Sequence, residues 1–183
     1  MRRFACGARR VFQLVSSVRM TSLLKASQEK LPFSKQALGR SHRLPKYQRS
    51  SADLVTVMGA AGNATIIGAV KAAKAHGKGV VVDTIGYPDR VKRAQEVTEL
   101  GVEFVELHAG LDEQWTAGYS IQVLIDEAAR AGVPVSIAGG VNINNVTAVI
   151  KAGAQVAVAG AAIYGAEDPA AAAKALREAI DAA

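Results

Sequence analysis

The sequence predicts a parallel α/β domain of the (β/α)8 TIM-barrel type, and three observations predict it. Short Val-rich runs alternate with longer amphipathic stretches at a period of roughly 22 to 32 residues from Asp53 onward. Glycines follow the amphipathic stretches, where a helix ends. Two further glycine segments, Ser136-Ile-Ala-Gly-Gly-Val141 and Val156-Ala-Val-Ala-Gly-Ala-Ala-Ile-Tyr-Gly165, close the last two apolar runs.

Five strands are expected at Leu54–Met58, Gly79–Ile85, Val102–His108, Val135–Ala138 and Val156–Ala159. They are almost continuously apolar, as strands buried on both faces are. Helices are expected at Asn63–His76, Asp89–Leu100, Ile121–Ala131, Asn144–Ala152 and Pro169–Ala182, where apolar residues recur at helical spacing and Lys, Arg and Glu occupy the other side. Pro88 and Pro169 suit helix starts, Asp168 suits an N-cap, and Gly77, Gly101, Gly132 and Gly153 suit left-handed C-terminal turns. An open dinucleotide-binding sheet would carry Gly-x-Gly-x-x-Gly after its first strand, whereas Gly59-Ala-Ala-Gly62 stands there and the stronger glycine segments come last. Late glycine turns favour the barrel, whose last two strands commonly build a phosphate site.

Backbone N–H groups freed at a strand-to-helix turn attract an anion, and glycine lets a phosphate approach the main chain. Gly139, Gly140 and Gly160 are therefore candidate phosphate-binding residues. One such turn has an equally simple structural explanation as a tight bend; two in consecutive units weaken that explanation.

Charge divides the 183 residues unevenly. Residues 1–50 hold twelve Lys and Arg against the single acid Glu29, and the remainder holds ten against fifteen acids. The formal net charge of +6 thus belongs to the N-terminal segment, and the acidic remainder offers no argument for nucleic-acid binding. Residues 1–51 read as a basic, disordered segment, transit-like or misjoined. Within it Arg9–Arg19 has the pattern of a short amphipathic helix. Residues 52–183 read as the folded domain. The one cysteine, Cys6, excludes a disulfide framework, and no apolar run approaches the ~20 residues that span a bilayer. A cytoplasmic protein is expected, or a mitochondrial one if the basic segment is a genuine transit peptide.

Two residues at strand ends are candidates for chemistry. His108 closes the third run on the same face as Phe104 and Glu106, and an imidazole there exchanges protons near neutral pH; a structural histidine is the alternative. Asp83, near the end of Val80-Val-Val-Asp-Thr-Ile-Gly86, is placed to orient a hydroxyl or pair with His108, or else to cap the following turn. Asp53 begins its strand and reads as structural. Asp112 and Glu113 either touch substrate or start their own turn. Glu99 and Glu103 read as surface charges, Trp115 and Tyr164 as packing aromatics. No histidine or carboxylate cluster has metal-ligand spacing.

Residues 52–183 resemble the C-terminal five βα units of the 3-hexulose-6-phosphate synthases, within the orotidine 5′-monophosphate decarboxylase superfamily. Ala52-Asp-Leu-Val-Thr-Val-Met-Gly59, Gly79-Val-Val-Val-Asp-Thr-Ile-Gly86, Phe104-Val-Glu-Leu-His-Ala-Gly-Leu-Asp-Glu-Gln114 and the two glycine segments carry the resemblance. It implies an aldehyde-lyase that condenses ribulose 5-phosphate with formaldehyde through an enediolate held on Mg²⁺. It also implies a homodimer, with no nucleic-acid or membrane partner. Gly139, Gly140, Gly160 and Ala161 would bind the sugar phosphate through backbone N–H groups, His108 would assist proton transfer, and Asp83 would contact substrate. A 3-keto-L-gulonate 6-phosphate decarboxylase or an orotidine 5′-phosphate decarboxylase-like carboxy-lyase is the alternative within the superfamily. Ala161, where the gulonate branch tends to place an arginine, favours the synthase. Outside enzymes, the alternative is a non-catalytic phosphosugar-binding or partner protein. The superfamily's Asp-x-Lys-x-x-Asp motif is absent from the chain, so the Mg²⁺ ligands are expected in upstream strands that this barrel lacks, and impaired activity is expected with them.

Overall fold

The computed structural model describes residues 11–14 and 53–183. Six parallel strands form one sheet: β1 (Val11–Leu14), β2 (Leu54–Met58), β3 (Gly79–Asp83), β4 (Phe104–His108), β5 (Val135–Ala138) and β6 (Val156–Ala159). Their order is β1-β6-β5-β4-β3-β2. From β2 to β6 each strand lies beside its predecessor, and β1 lies beside the last. A doubly wound sheet reverses its strand order at a switch point, and this sheet does not. The cyclic order is that of a barrel wall.

The helices are α1 (Asn63–Ala75), α2 (Arg90–Thr98), α3 (Leu111–Gln114), α4 (Gln122–Ala131), α5 (Val146–Lys151), α6 (Ala161–Tyr164) and α7 (Pro169–Asp181). Strand alternation sorts the sheet into two faces. Val80, Val82, Val105, Leu107, Val135, Ile137, Ala157 and Ala159 join the helical residues Ile66, Val97, Leu124, Val146, Leu176 and Ile180 in the larger core. Val81, Phe104, Ala138, Val156 and Val158, all from strands, cluster on the other face. Helices against one face and strand side chains alone on the other are again the arrangement of a barrel wall, with the second face as its interior.

Local chemistry sets the element boundaries. The Asp89 carboxylate accepts a hydrogen bond from the Lys92 N–H, and the Asp168 carboxylate does the same for Ala171, with Pro169 opening α7. Each satisfies one of the donors that a helix start leaves free. Gly132 ends α4 with φ of 65°, a left-handed turn that glycine adopts without Cβ strain. The strand β3 stops at Asp83 instead of running to Ile85, because the Ile85 N–H turns back onto the Asp83 carboxylate at 2.9 Å. The one-turn helices α3 and α6 are too short to show a helical period in the sequence.

Asp53 forms an exposed ion pair with Lys78 at 2.9 Å, in keeping with a structural role. Val11–Leu14 falls inside the stretch expected to allow a helix, but its backbone is extended and pairs in register with Val156–Ala159. The unpaired edge of β6 offers ladder hydrogen bonds that an isolated short helix lacks. The rest of residues 1–51 lies outside the described residues. Among those described, no helix is long and apolar enough to cross a membrane.

The core face of β4 supplies a stability test. Leu107 is fully buried, whereas Val123 on α4 is exposed. Leu107→Ala should lower the unfolding free energy by about 2–5 kcal/mol through lost burial and the cavity left behind. Val123→Ala should change it by no more than about 0.5 kcal/mol. Urea denaturation of the two variants checks both figures.

Candidate active site

Register brings the chemistry to one end of the sheet. Asp83 on β3 is paired across the ladder with Glu106 on β4, and Glu106 with Ser136 on β5. One step further along, His108 is paired with Ala138. Alternation turns Asp83, Glu106, His108 and Ser136 to the same inner face. There His108 Nδ1 lies 3.1 Å from both Asp83 carboxylate oxygens and 3.6 Å from a Glu106 oxygen. The Ser136 hydroxyl donates to Glu106 at 3.5 Å.

This places the sequence-predicted pair, Asp83 and His108, in direct contact. Asp83 also caps the turn after its strand through the Ile85 N–H, so the two alternatives for this residue coexist. A carboxylate only accepts, so the contact puts a proton on Nδ1 and leaves Nε2 as the nitrogen that exchanges protons with a ligand.

Electrostatics couples the three groups. Burial, then the nearby charge of Asp83, push the Glu106 carboxyl up to about 7, against the pull of His108 and the Ser136 hydroxyl. Burial by itself would lower His108, but its hydrogen bond to Asp83 and the charges of Asp83, Glu106 and Glu113 outweigh that, and its pKa is raised. The site holds more negative charge than it can comfortably leave unprotonated.

Asp83, Glu106 and His108 each offer one ligand atom, and these atoms lie within 4.8 Å of one another. They form a group that could hold a metal ion, where the sequence shows no cluster at metal-ligand spacing. Spacing along the chain fails to show it because strands 25 residues apart in sequence supply the donors. The sequence signal for Glu106 is an acid inside an apolar strand, on the face of His108. Two converging carboxylates are hard oxygen donors of the kind a divalent cation takes, and such a cation would displace the proton that Glu106 retains.

The glycine turns follow on the next two strands. Gly139 has φ of 103°, and a Cβ there would come within 2.3 Å of the Ala109 carbonyl oxygen, so only glycine allows this crossing of the β4 and β5 ends. The Asn142 and Asn145 side-chain amides both donate to the Gly140 carbonyl, at 3.1 and 3.0 Å. Gly160 stands as the N-cap of α6, with Ala161 as its first residue, and its carbonyl accepts from the N–H groups of Ile163 and Tyr164. The first N–H groups of such a turn have no partner within the helix.

Asp112 and Glu113 sit in the first turn of α3, so they do start their own turn. Glu113 is also tied to Arg90, which reads in the sequence as an ordinary helical charge: the Arg90 guanidinium donates to Glu113 at 2.8 Å and to Glu127 at 2.7 Å. Trp115 and Tyr164, expected to pack, are instead 79% and 63% exposed.

A family model for "Orotidine 5'-phosphate decarboxylase / HUMPS family" matches residues 44–176. The 3-hexulose-6-phosphate synthase of Mycobacterium gastri is 61% identical over 132 residues, 72% of this chain and 64% of that protein. The synthase of Methylomonas aminofaciens is 43% identical, over 69% of this chain and 61% of that one. A crystal structure of a 3-hexulose-6-phosphate synthase superposes with a TM-score of 0.69 at 62% identity, covering 71% of this chain and 63% of that chain. A 3-keto-L-gulonate-6-phosphate decarboxylase from Vibrio cholerae superposes with a TM-score of 0.58 at 27% identity, covering 72% and 62%. The chain spans a little under two thirds of the length of these curated relatives.

The site makes stability depend on pH in a defined sense. Folded Glu106 keeps its proton to about pH 7, whereas an unfolded chain releases it near 4.5. Its contribution is complete below pH 4.5 and lost as pH rises to about 7. His108, also raised, acts in the same direction from 6.5 upward. In EDTA the melting temperature should fall from pH 5 to pH 8, and Glu106→Gln should flatten the fall and melt higher than the parent at pH 8. Thermal unfolding followed by circular dichroism across that range checks this.

Proposed function

The chain belongs to the orotidine 5'-phosphate decarboxylase / HUMPS family, and from that premise we propose that it acts on ribulose 5-phosphate and formaldehyde as a 3-hexulose-6-phosphate synthase-like lyase. One observation carries the reading. Four consecutive strand ends present, in order, a carboxylate, an acid and histidine, a glycine turn and a second glycine turn, all at one end of one sheet.

In this reading the N–H groups around Gly139, Gly140, Gly160 and Ala161 hold the sugar phosphate, which fixes the distance from phosphate to reacting carbon. Nε2 of His108 takes a proton from C1 of ribulose 5-phosphate, and Asp83 holds the ring in the required tautomer and stabilises the imidazolium. The C1 carbon then bonds to the formaldehyde carbon. His108 returns the proton to the former formaldehyde oxygen, so one carbon–carbon bond forms and no group departs. Asp83 and Glu106 are the residues that would hold Mg²⁺, which when bound supplies Lewis-acid stabilisation of oxygens that gain negative charge.

The gulonate-phosphate decarboxylase reading shares the fold and the proton chemistry. Ala161 beside Gly160, together with 61% identity to a named synthase against 27% to a named decarboxylase, favours the synthase.

The purified full chain should, with Mg²⁺ and ribulose 5-phosphate in D₂O, exchange the C1 proton for deuterium, as read by ¹H NMR. Added formaldehyde should be consumed. His108→Ala should slow the exchange by about 10²- to 10⁴-fold, the usual range for losing a general base. Mn²⁺ should bind with a line-broadened paramagnetic signal that Glu106→Gln weakens. Faster release of CO₂ from 3-keto-L-gulonate 6-phosphate than consumption of formaldehyde would overturn the synthase reading.

A further inference from the structure

We propose that Arg90 is a positioning residue for the Gly139–Gly140 turn, acting through the segment of residues 111–119. The inference rests on the reading of that turn as a phosphate site. Arg90 opens α2 and is buried, and its hydrogen bonds go to Glu113 and Glu127, outside the glycine turns and the acid–histidine cluster. Its guanidinium spends both arms on carboxylates from two other elements. One nitrogen donates to both oxygens of Glu113 at 3.0 and 2.8 Å, and Nε and a second terminal nitrogen donate to Glu127 at 2.7 and 3.1 Å. Glu127 belongs to α4 and Glu113 to α3, so one side chain fixes the one-turn helix α3 against two longer helices.

What α3 carries explains why its position matters. Gln114, its last residue, donates to the Ala109 carbonyl at 2.8 Å, and this is the oxygen that Gly139 crosses so closely. Just beyond, the Tyr119 hydroxyl donates to the Gly139 carbonyl at 3.3 Å. Gln114 and Tyr119 are also the nearest atoms around Gly140, at 3.6 and 4.0 Å from where a Cβ would stand. The segment is thus the rear wall of the glycine turn, and Arg90 is a buried cationic anchor for it.

Lysine keeps a charge but cannot bridge two carboxylates with a planar fork. In the ligand-free full chain, Arg90→Lys should move the ¹⁵N–¹H signals of Gly139 and Gly140 while leaving those of α7 in place. Affinity for ribulose 5-phosphate and for inorganic phosphate, by calorimetry, should fall about tenfold, the scale of one well-placed hydrogen bond. Tyr119→Phe, which removes only the hydroxyl, should move the Gly139 signal and weaken both ligands severalfold without moving the His108 ring signals. Unmoved glycine signals with unchanged affinity in Arg90→Lys overturn the proposal. If that variant does not fold, an unmoved Gly139 signal in Tyr119→Phe overturns it. A parent chain that binds neither ligand refutes the phosphate reading instead, and the glycine signals alone then decide whether Arg90 positions the turn.

Discussion

The in-register parallel pairing of β3, β4 and β5 is the constraint on which the rest of the site depends. Parallel strands turn alternate residues to the same face, so pairing Asp83 with Glu106 and Glu106 with Ser136 commits all three to the interior. A slip of one residue on β4 would send Glu106 and His108 to the helix-packed face and bring Val105 and Leu107 inward. The continuous packing of Val105 and Leu107 against α2 and α4 forbids that slip, because each is fully buried. Burial on the outer face therefore fixes the chemistry of the inner one.

That register has a cost. Two carboxylates in one partly buried row repel each other, and the fold offsets this with the His108 contact and the Ser136 hydroxyl without removing it. Neighbouring polar groups are handled differently. Arg90 is fully matched by Glu113 and Glu127, and Arg93 by the Glu96 carboxylate, the carbonyls of Gly59 and Ala61 and the side chain of Asn63. The ends of β3 and β4 instead gather two partly buried carboxylates beside one histidine, where a cation or a proton in transit has use for the charge.

The sequence makes the fold class legible because each βα unit repeats the same local rules, a Val-rich run and an amphipathic stretch, and the first four close on a glycine. The sheet that the five units form is decided by strand order, which no window of sequence contains. His108 and Asp83 are legible because polar residues at the ends of apolar runs stand out. Glu106 is half legible, visible as an acid on the face of His108 but not as a partner of Asp83, since that pairing is a matter of register. Arg90 and Glu127 are not legible at all. Their partnership joins residues 37 apart on separate helices, and each looks like an ordinary helical surface charge.

The exposure of Trp115 has an optical consequence. It is the only tryptophan in the chain, and it stands at 79% exposure directly after the one-turn helix that Arg90 anchors. Nearly all the indole emission of the protein therefore originates at the rim of the site and not in its core. A fluorescence unfolding curve would follow the loosening of that rim, while circular dichroism follows the sheet and helices. The two curves need not coincide, and the gap between them measures how independently the rim opens.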